Sequence, residues 1–247
     1  MEPSEEHERA DVFLVAHGFA ASRAEAQAAI QAGRVRADGK NIVKPAQKLR
    51  ATMNITYEPA HPYVSRGGVK LAAALAQFGL SPENRVCLDV GASTGGFTQV
   101  LLQGGARRVY AIDVGHGQLH GLLKRDPRVV SKEGVNARDL GTAQVPESVG
   151  AIVADVSFIS LKLALTPALQ LAGGDAWAVF LVKPQFEVGP LGVARGGIVR
   201  DDALRQAALA DVSEWVNAQG WAALGSMESP ITGGDGNHEY LLAARRR

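Results

Sequence analysis

Leu88-Asp89-Val90-Gly91-Ala92-Ser93-Thr94-Gly95-Gly96-Phe97-Thr98 starts as an apolar run, carries an acid, and breaks into small residues and glycines. Beyond the break, Phe97, Val100, Leu101 and Leu102 share one face at helical spacing. The stretch reads as a strand entering a helix through a tight loop, where backbone N–H groups can approach a ligand closely. Its glycine order is G-x-x-x-G-G, so the second glycine of the dinucleotide fingerprint G-x-G-x-x-G is missing. No G-x-x-x-x-G-K-[ST] occurs either, which argues against a triphosphate cradle.

Outward from this loop, the chain from Tyr63 onward alternates strands and helices in the doubly wound manner. A helix is expected at about Val69–Phe78. Strands are expected at Val86–Val90, Arg108–Val114, Val129–Val135, Ala151–Val156 and Ala176–Lys183. A long helix over Asp201–Ala218 and strands near Trp221–Ser226 and Glu239–Ala243 follow. Ala176-Trp-Ala-Val-Phe-Leu-Val182 is continuously apolar, as a strand buried on both faces should be. Ligands of such sheets lie outside the carboxyl ends of the strands, so polar residues there are the candidates for chemistry. Asp89 and the glycines follow the first strand. Asp113 ends the second, where an acid can accept both hydroxyls of a ribose. Asn136 and Asp139 follow the third, Asp155 ends the fourth and Lys183 the fifth. A lone Asp or Lys at a strand end is usually just solvated; several converging on one sheet edge are a site.

Residues 9–58 differ in character. Asp11 to His17 is apolar on one side and closed by Gly18, and Ser22-Arg-Ala-Glu25 is a capping box opening a helix that stops at Gly33. Val35–Ile42 reads as a hairpin with Asp38-Gly39 as its two-residue turn, and Met53–Glu58 as a further strand. Six cations (Arg34, Arg36, Lys40, Lys44, Lys48, Arg50) face a single acid, Asp38, in this segment. Charge runs are commonly no more than solvated faces, but here they decorate one compact module. Pro59–Pro62 reads as a short, stiff linker.

The chain has 247 residues, is 46% hydrophobic and 21% charged, and carries a formal net charge of +1, ordinary values for a globular protein with a proper core. The single cysteine, Cys87, lies in the strand before the loop and reads as a buried thiol in a reducing cytosol. Met1-Glu-Pro-Ser-Glu-Glu-His-Glu is acidic and polar, unlike a signal peptide, and no apolar run approaches the roughly 20 residues that span a bilayer. A cytoplasmic location without membrane contact is the expectation. His17, His61, His116, His120 and His238 lack the companions of a metal site, and no Cys-x-x-Cys occurs, so no metal is expected. Gly196-Gly197-Ile-Val-Arg200 reads as a flexible loop or as a substrate-facing flap carrying Arg195 and Arg200, and Arg245–Arg247 as a basic tail that is solvated or makes a contact.

The loop after Asp89 resembles the S-adenosylmethionine (SAM) site of class I methyltransferases, and the basic module resembles the S4-type RNA-binding domain. Tyr63-Val-Ser-Arg-Gly-Gly-Val-Lys70, Asp89–Thr98, Asp155-Val-Ser-Phe-Ile-Ser-Leu161, Leu181-Val-Lys-Pro-Gln-Phe-Glu187 and Gly236-Asn-His-Glu239-Tyr together resemble the TlyA family. That family joins an S4-type domain to a methyltransferase domain of the FtsJ type, and many members are also named hemolysin. The resemblance implies an α/β fold: a Rossmann-like class I methyltransferase with a doubly wound, mostly parallel sheet over residues 63–247, and a small N-terminal α+β RNA-binding domain over 9–58. It implies SAM-dependent methylation of cytidine ribose 2′-hydroxyls in ribosomal RNA, with ribosomal RNA or a ribosomal subunit as partner. The chain ends soon after Glu239 and resembles the shorter members, which points to large-subunit RNA. By the same resemblance Lys70, Asp155, Lys183 and Glu239 are the catalytic set, with Lys183 held between Asp155 and Glu239. Asp89, Gly91, Ala92, Ser93, Thr94, Gly95, Gly96, Phe97, Asp113, Asn136 and Asp155 bind the cofactor. Arg34, Arg36, Lys40, Lys44, Lys48, Arg50 and Arg66 bind RNA. A catalytically idle ribosome-assembly factor and a membrane-active hemolysin are the alternatives, and filled catalytic positions and the lack of a spanning segment argue against them. No oligomeric state follows from the sequence.

Overall fold

The computed structural model describes residues 7–20 and 22–247; the acidic segment that is unlike a signal peptide lies, over residues 1–6, outside them. The chain divides into two compact units, one up to Pro62 and one over Tyr63–Arg247.

In the first unit β1 (Glu8–Arg9) leads into α1 (Ala10–Ala16), then α2 (Arg23–Gln31), β2 (Val35–Ala37), β3 (Lys40–Asn41), β4 (Lys48–Leu49) and β5 (Ile55–Tyr57). Ser22 caps α2 by accepting from the Glu25 N–H at 3.2 Å, as the capping-box spacing requires. Asp38 (φ +48°) and Gly39 (φ +75°) both adopt the left-handed region, the geometry of a two-residue hairpin turn, and Ala37 pairs with Lys40 across it. The antiparallel sheet runs β3-β2-β5, and the short pair β1-β4, which has no counterpart in the sequence reading, stands apart. Phe13, Leu14, Ile30, Val35, Ile42 and Leu49 fill the core. Beside it, buried Asp11 accepts from Arg9 and Arg23 and from Gln27 at 2.8 Å. Arg9 above all, with Arg23 and Gln27, outweighs the cost of burial and holds the Asp11 carboxyl well below the usual range.

The second unit comprises α3 (Arg66–Phe78), β6 (Val86–Val90), α4 (Gly96–Gln103), β7 (Arg108–Ile112), α5 (Gly121–Lys124), β8 (Val129–Lys132), β9 (Val149–Ala154), α6 (Leu161–Gln170), β10 (Ala172–Val182), α7 (Asp202–Ala218), β11 (Trp221–Glu228) and β12 (Tyr240–Arg246). The sheet order is β11-β12-β10-β9-β6-β7-β8. Strands β6 to β10 pair in parallel, and β12 runs antiparallel to β10 and β11. Alternate strand residues enter two cores. Leu88, Val90, Ile152 and Phe180 pack with α6 and α7 on one face, and Cys87, Val109, Val153 and Val179 with α3 and α4 on the other. Each fully buried Leu, Ile or Val contributes roughly 1.5–3 kcal/mol, so the doubly covered sheet is the main source of stability. The apolar pocket also pushes the Cys87 thiol up to about 12, so it is an inert core residue.

Element ends depart from the sequence reading. Strands β7, β8 and β9 stop at Ile112, Lys132 and Ala154, so Asp113, Val135 and Asp155 lie beyond the ladder rather than within it. Helix α3 begins at Arg66, three residues before the expected Val69, after extended Ser65. Strand β12 starts at Tyr240, leaving Glu239 just outside. The short α5 has no counterpart among the expected elements. In each shifted strand end a polar or glycine residue leaves the pairing to serve a loop, an event that apolar periodicity does not register.

Candidate active site

Strands β6 and β9 are neighbours, yet the chain leaves β6 toward β7 and β8 and returns to β9 on the other side. Their carboxyl ends therefore flank the topological switch point, where open α/β sheets bind ligands. Gly91 (φ +82°) passes so close to β9 that a Cβ would stand 2.5 Å from the Asp155 carbonyl. Gly95 and Gly96 have a different cause. A Cβ at Gly95 would strike Leu123 at 2.2 Å, and one at Gly96 would strike the Ser65 hydroxyl at 2.2 Å. These two glycines let α4 seat against α3 and the α5 region; approach to a ligand is not what requires them.

A cavity of about 490 Å³ opens at the switch point, lined among others by Gly91, Ser93, Asp113, Asn136, Asp155 and Phe158. Asp113 Oδ2 accepts from the Ser93 N–H and Oδ1 from the Gly115 N–H, each at 2.7 Å. The carboxylate is thereby fixed with lone pairs to spare, since each oxygen accepts more than one hydrogen bond. Asn136 caps the turn Ala137–Asp139, its Oδ1 accepting from the Arg138 N–H at 3.0 Å. Ile112, Val135, Val156 and Ile159 give apolar walls. A fixed diol acceptor between apolar walls fits a nucleoside.

The other loop residues expected at the cofactor do not line this cavity. Ala92, Thr94, Gly95, Gly96 and Phe97 are outside it, and Asp89 is fully buried behind the loop, where its Oδ2 accepts from the Thr98 hydroxyl at 2.6 Å. Burial pushes the Asp89 carboxyl up to about 7, with Thr98 opposing and the charges of Asp155 and Asp113 adding to the rise.

A second cavity, of about 340 Å³, shares Ser157 and Phe158 with the first and is also lined by Lys183, Gln185, Asp235 and Glu239. Lys183 Nζ lies 2.6 Å from Asp155 Oδ1 and donates to Ser157 Oγ at 2.8 Å. Lys70, 7% exposed on α3, pairs instead with Glu239, 3% exposed before β12. The expected arrangement of Lys183 between Asp155 and Glu239 is thus replaced by two separate lysine–carboxylate pairs. The reason is physical: a buried Lys70 needs a counter-charge, and Glu239 is the acid that packing of α3 against β12 brings to it. Asp155, Lys183 and Glu239 lie just outside the ends of β9, β10 and β12 and line one or other cavity, whereas Lys70 on α3 lines neither and is joined to the group only through Glu239.

Three functional candidates escape the sequence reading. Ser157 lies two residues after Asp155 in a motif already noted, Asn237 two before Glu239, and Asp235 has no motif around it. Burial would raise the Asp235 carboxyl, but hydrogen bonds from Asn237 and the charge of Lys183 hold it below the usual range. Phe158 is 91% exposed, adopts φ +64° and stands 5.3 Å from the Phe186 ring. Among the expected RNA contacts, Arg34 pairs with Glu58 at 2.8 Å and Arg36 donates to Asn41 at 3.1 Å. Lys48 donates to the His7 carbonyl at 3.2 Å. Lys40 and Lys44 are exposed and, among the described residues, carry no ion pair or side-chain hydrogen bond; Arg50 is half-buried. Arg66 is exposed and donates to the Thr232 carbonyl. Among the described residues no group of His, Cys, Asp and Glu could hold a metal ion, and no helix is long and apolar enough to cross a membrane.

Comparison with known proteins bears on both units. The model of the FtsJ-like methyltransferase family matches residues 63–246, and that of the S4 domain matches residues 8–55. The 16S/23S rRNA (cytidine-2′-O)-methyltransferase TlyA of Mycobacterium tuberculosis is 46% identical over 239 residues, 96% of this chain and 89% of that protein. A Brachyspira hyodysenteriae protein named Hemolysin A is 44% identical, over 94% of this chain and 98% of its own length. A solved structure described as a hemolysin from Streptococcus thermophilus superposes with a TM-score of 0.77 at 38% identity, covering 98% of this chain and 90% of that one.

Proposed function

Because the chain belongs to the FtsJ-like methyltransferase family, as a TlyA-type member with an S4 domain ahead of the methyltransferase domain, we propose that it methylates the ribose 2′-hydroxyl of cytidine in ribosomal RNA, using SAM. The observation that carries this reading is the adjoining of two cavities across Ser157 and Phe158, one with a nucleoside-binding acid and one with a lysine–carboxylate pair. When bound, SAM supplies an electrophilic methyl on a sulfonium centre. Asp113 would accept from its ribose hydroxyls and Asn136 would stand beside its purine, while Gly91 lets the loop pass close to the Asp155 carbonyl at the cavity floor.

In the second cavity the acceptor hydroxyl, a very weak acid, needs help as it attacks. Lys183 Nζ would receive the hydroxyl proton as the oxygen–methyl bond forms and the methyl–sulfur bond of the sulfonium breaks to leave a neutral thioether, and the ammonium so formed is held by Asp155 and Ser157. Asp155 keeps that nitrogen in line, and alignment itself contributes several kcal/mol. The buried Lys70–Glu239 pair braces the wall behind. Phe158 offers an exposed face on which a base can stack. The cations at Arg34, Arg36, Lys40, Lys44, Lys48, Arg50 and Arg66 bind phosphates without reading sequence. Large-subunit RNA is the favoured acceptor and the cytoplasm the site of action.

Transfer of labelled methyl from SAM to separated ribosomal subunits, with mapping of the product nucleotide, tests the reading. Lys183→Ala should lower the rate by about 10²–10⁴-fold, the usual worth of a positioned acid or base, with SAM affinity retained. Wild-type transfer in the folded variant rules Lys183 out as the proton acceptor. A wild-type chain that binds no SAM by calorimetry returns the reading to an idle assembly factor.

A further inference from the structure

Asn237 lies between Asp235 and Glu239, which line the second cavity, but does not line it itself and takes no part in the steps above. It is 1% exposed, and its side-chain amide is fully engaged. Its Nδ2 donates to the Gly197 carbonyl and to Asp235 Oδ2, each at 2.8 Å, and its Oδ1 accepts from the Val199 N–H at 3.0 Å. Its own N–H donates to Asp235 Oδ1 at 3.1 Å, and its carbonyl accepts from the Gly233 N–H at 2.8 Å. One amide therefore ties together two segments lying 40 residues apart in sequence.

Both segments wall the cavity: Val193 and Gly197 belong to one, Asp235 and Glu239 to the other. Gly196 (φ +93°) and Gly197 (φ +81°) form a tight turn in the first. It is closed by the Ala194 N–H on the Ile198 carbonyl and the Gly197 N–H on the Ala194 carbonyl, each at 3.0 Å. Arg205 of α7 holds the Val199 carbonyl at 3.0 Å, which pins the far end of the turn. Asn237 is what pins it toward Asp235 and Glu239. None of the partners of Asn237 lines the 490 Å³ cavity.

We propose that Asn237 is the positioning residue of the acceptor cavity, fixing through Gly197, Val199 and Asp235 the wall against which the target nucleotide is held. The proposal rests on the reading of that cavity as the acceptor site. Removing the amide strands the buried Val199 N–H and releases the exposed Gly197 carbonyl and Asp235 carboxylate to water, and the cheapest relief is for the turn to swing away. Acceptor binding then suffers while the cofactor side is untouched.

The test uses the full chain and three readouts: KM for ribosomal subunits, SAM affinity by calorimetry, and hydrogen exchange at the Val199 amide. Asn237→Ala should raise KM about tenfold, the equivalent of one or two hydrogen bonds, with SAM affinity unchanged and Val199 exchanging faster. Asn237→Asp keeps the acceptor for Val199, loses both donors and sets two carboxylates together. Adding Asp235→Asn returns a donor from the other side, so the double variant should recover part of the KM that Asn237→Asp loses. A folded variant with faster Val199 exchange and wild-type KM overturns the proposal, as does SAM affinity falling in step with acceptor binding. If the wild type binds SAM yet methylates no ribosomal RNA, the functional reading fails and takes this one with it. Wild-type methylation with unaltered KM in the variants defeats this proposal alone.

Discussion

Asp89 is expected among the cofactor-binding residues, and the structure places it behind the loop rather than in the lining of the cavity. It opens the loop, but it is fully buried, and its Oδ1 has no hydrogen-bond partner among the described residues. Its carboxyl is raised from 3.8 to about 7, chiefly by burial. A group whose folded value exceeds its unfolded one stabilises the fold while protonated and loses that contribution as pH rises through the folded value. Stability should therefore fall between about pH 4 and pH 7 on account of this residue. Asp89→Asn still accepts from the Thr98 hydroxyl and removes the ionisation. Thermal melts should show it above the wild type at about pH 8 and level with it near pH 4; identical melts at both would mean that Asp89 is not the group responsible. The two lysines of the expected catalytic set show the complement. Lys70 and Lys183 are visible as candidates by motif, but their partners are not, because Glu239 lies 169 residues from Lys70 and only packing selects it.

At the scale of elements, the strand–loop–helix unit from Val86 to Gln103 is legible from apolar spacing and glycines, since both are local properties. What the glycines are for is not. A Cβ at Gly96 would also stand 2.8 Å from the Gly68 N–H, so this residue sets the approach of α4 to α3. Gly96→Ala should cost roughly 1–3 kcal/mol by urea melt, the range of overpacked sites, and weaken SAM binding through displaced α4. A melt unchanged from the wild type would show that the packing there relaxes freely. The elements without a sequence signal, β1, β4 and α5, have two, two and four residues. Nothing so short carries a periodic pattern; β1 and β4 exist only by pairing with each other from distant segments, and α5 is a single turn closed locally on His120.

At the scale of the whole molecule, the proposed function divides RNA affinity and chemistry between the two units. Lys40 and Lys44 lie exposed in the first unit without an ion pair among the described residues, so their charges are available to phosphates. Replacing both with Ala should weaken RNA binding and reduce the slope of log affinity against log salt by about 1 for each phosphate no longer neutralised, with SAM affinity unchanged. An unaltered slope would place the RNA contacts elsewhere. The second unit is legible as doubly wound because its central strands are apolar on both faces, and the site is legible as a sheet edge because strand ends are where polar residues gather. Fold class, the strand–loop–helix unit after Val86 and the polar residues at the strand ends are all written in the chain itself. They follow from short-range periodicity and from motifs read within a few residues. Folding in three dimensions settled the rest: which lysine meets which carboxylate, which glycines serve packing, and that Asn237 binds two distant loops. Each of those depends on atoms brought within hydrogen-bonding or van der Waals distance from segments far apart in the chain, where the hydrogen bond, the ion pair and close packing act.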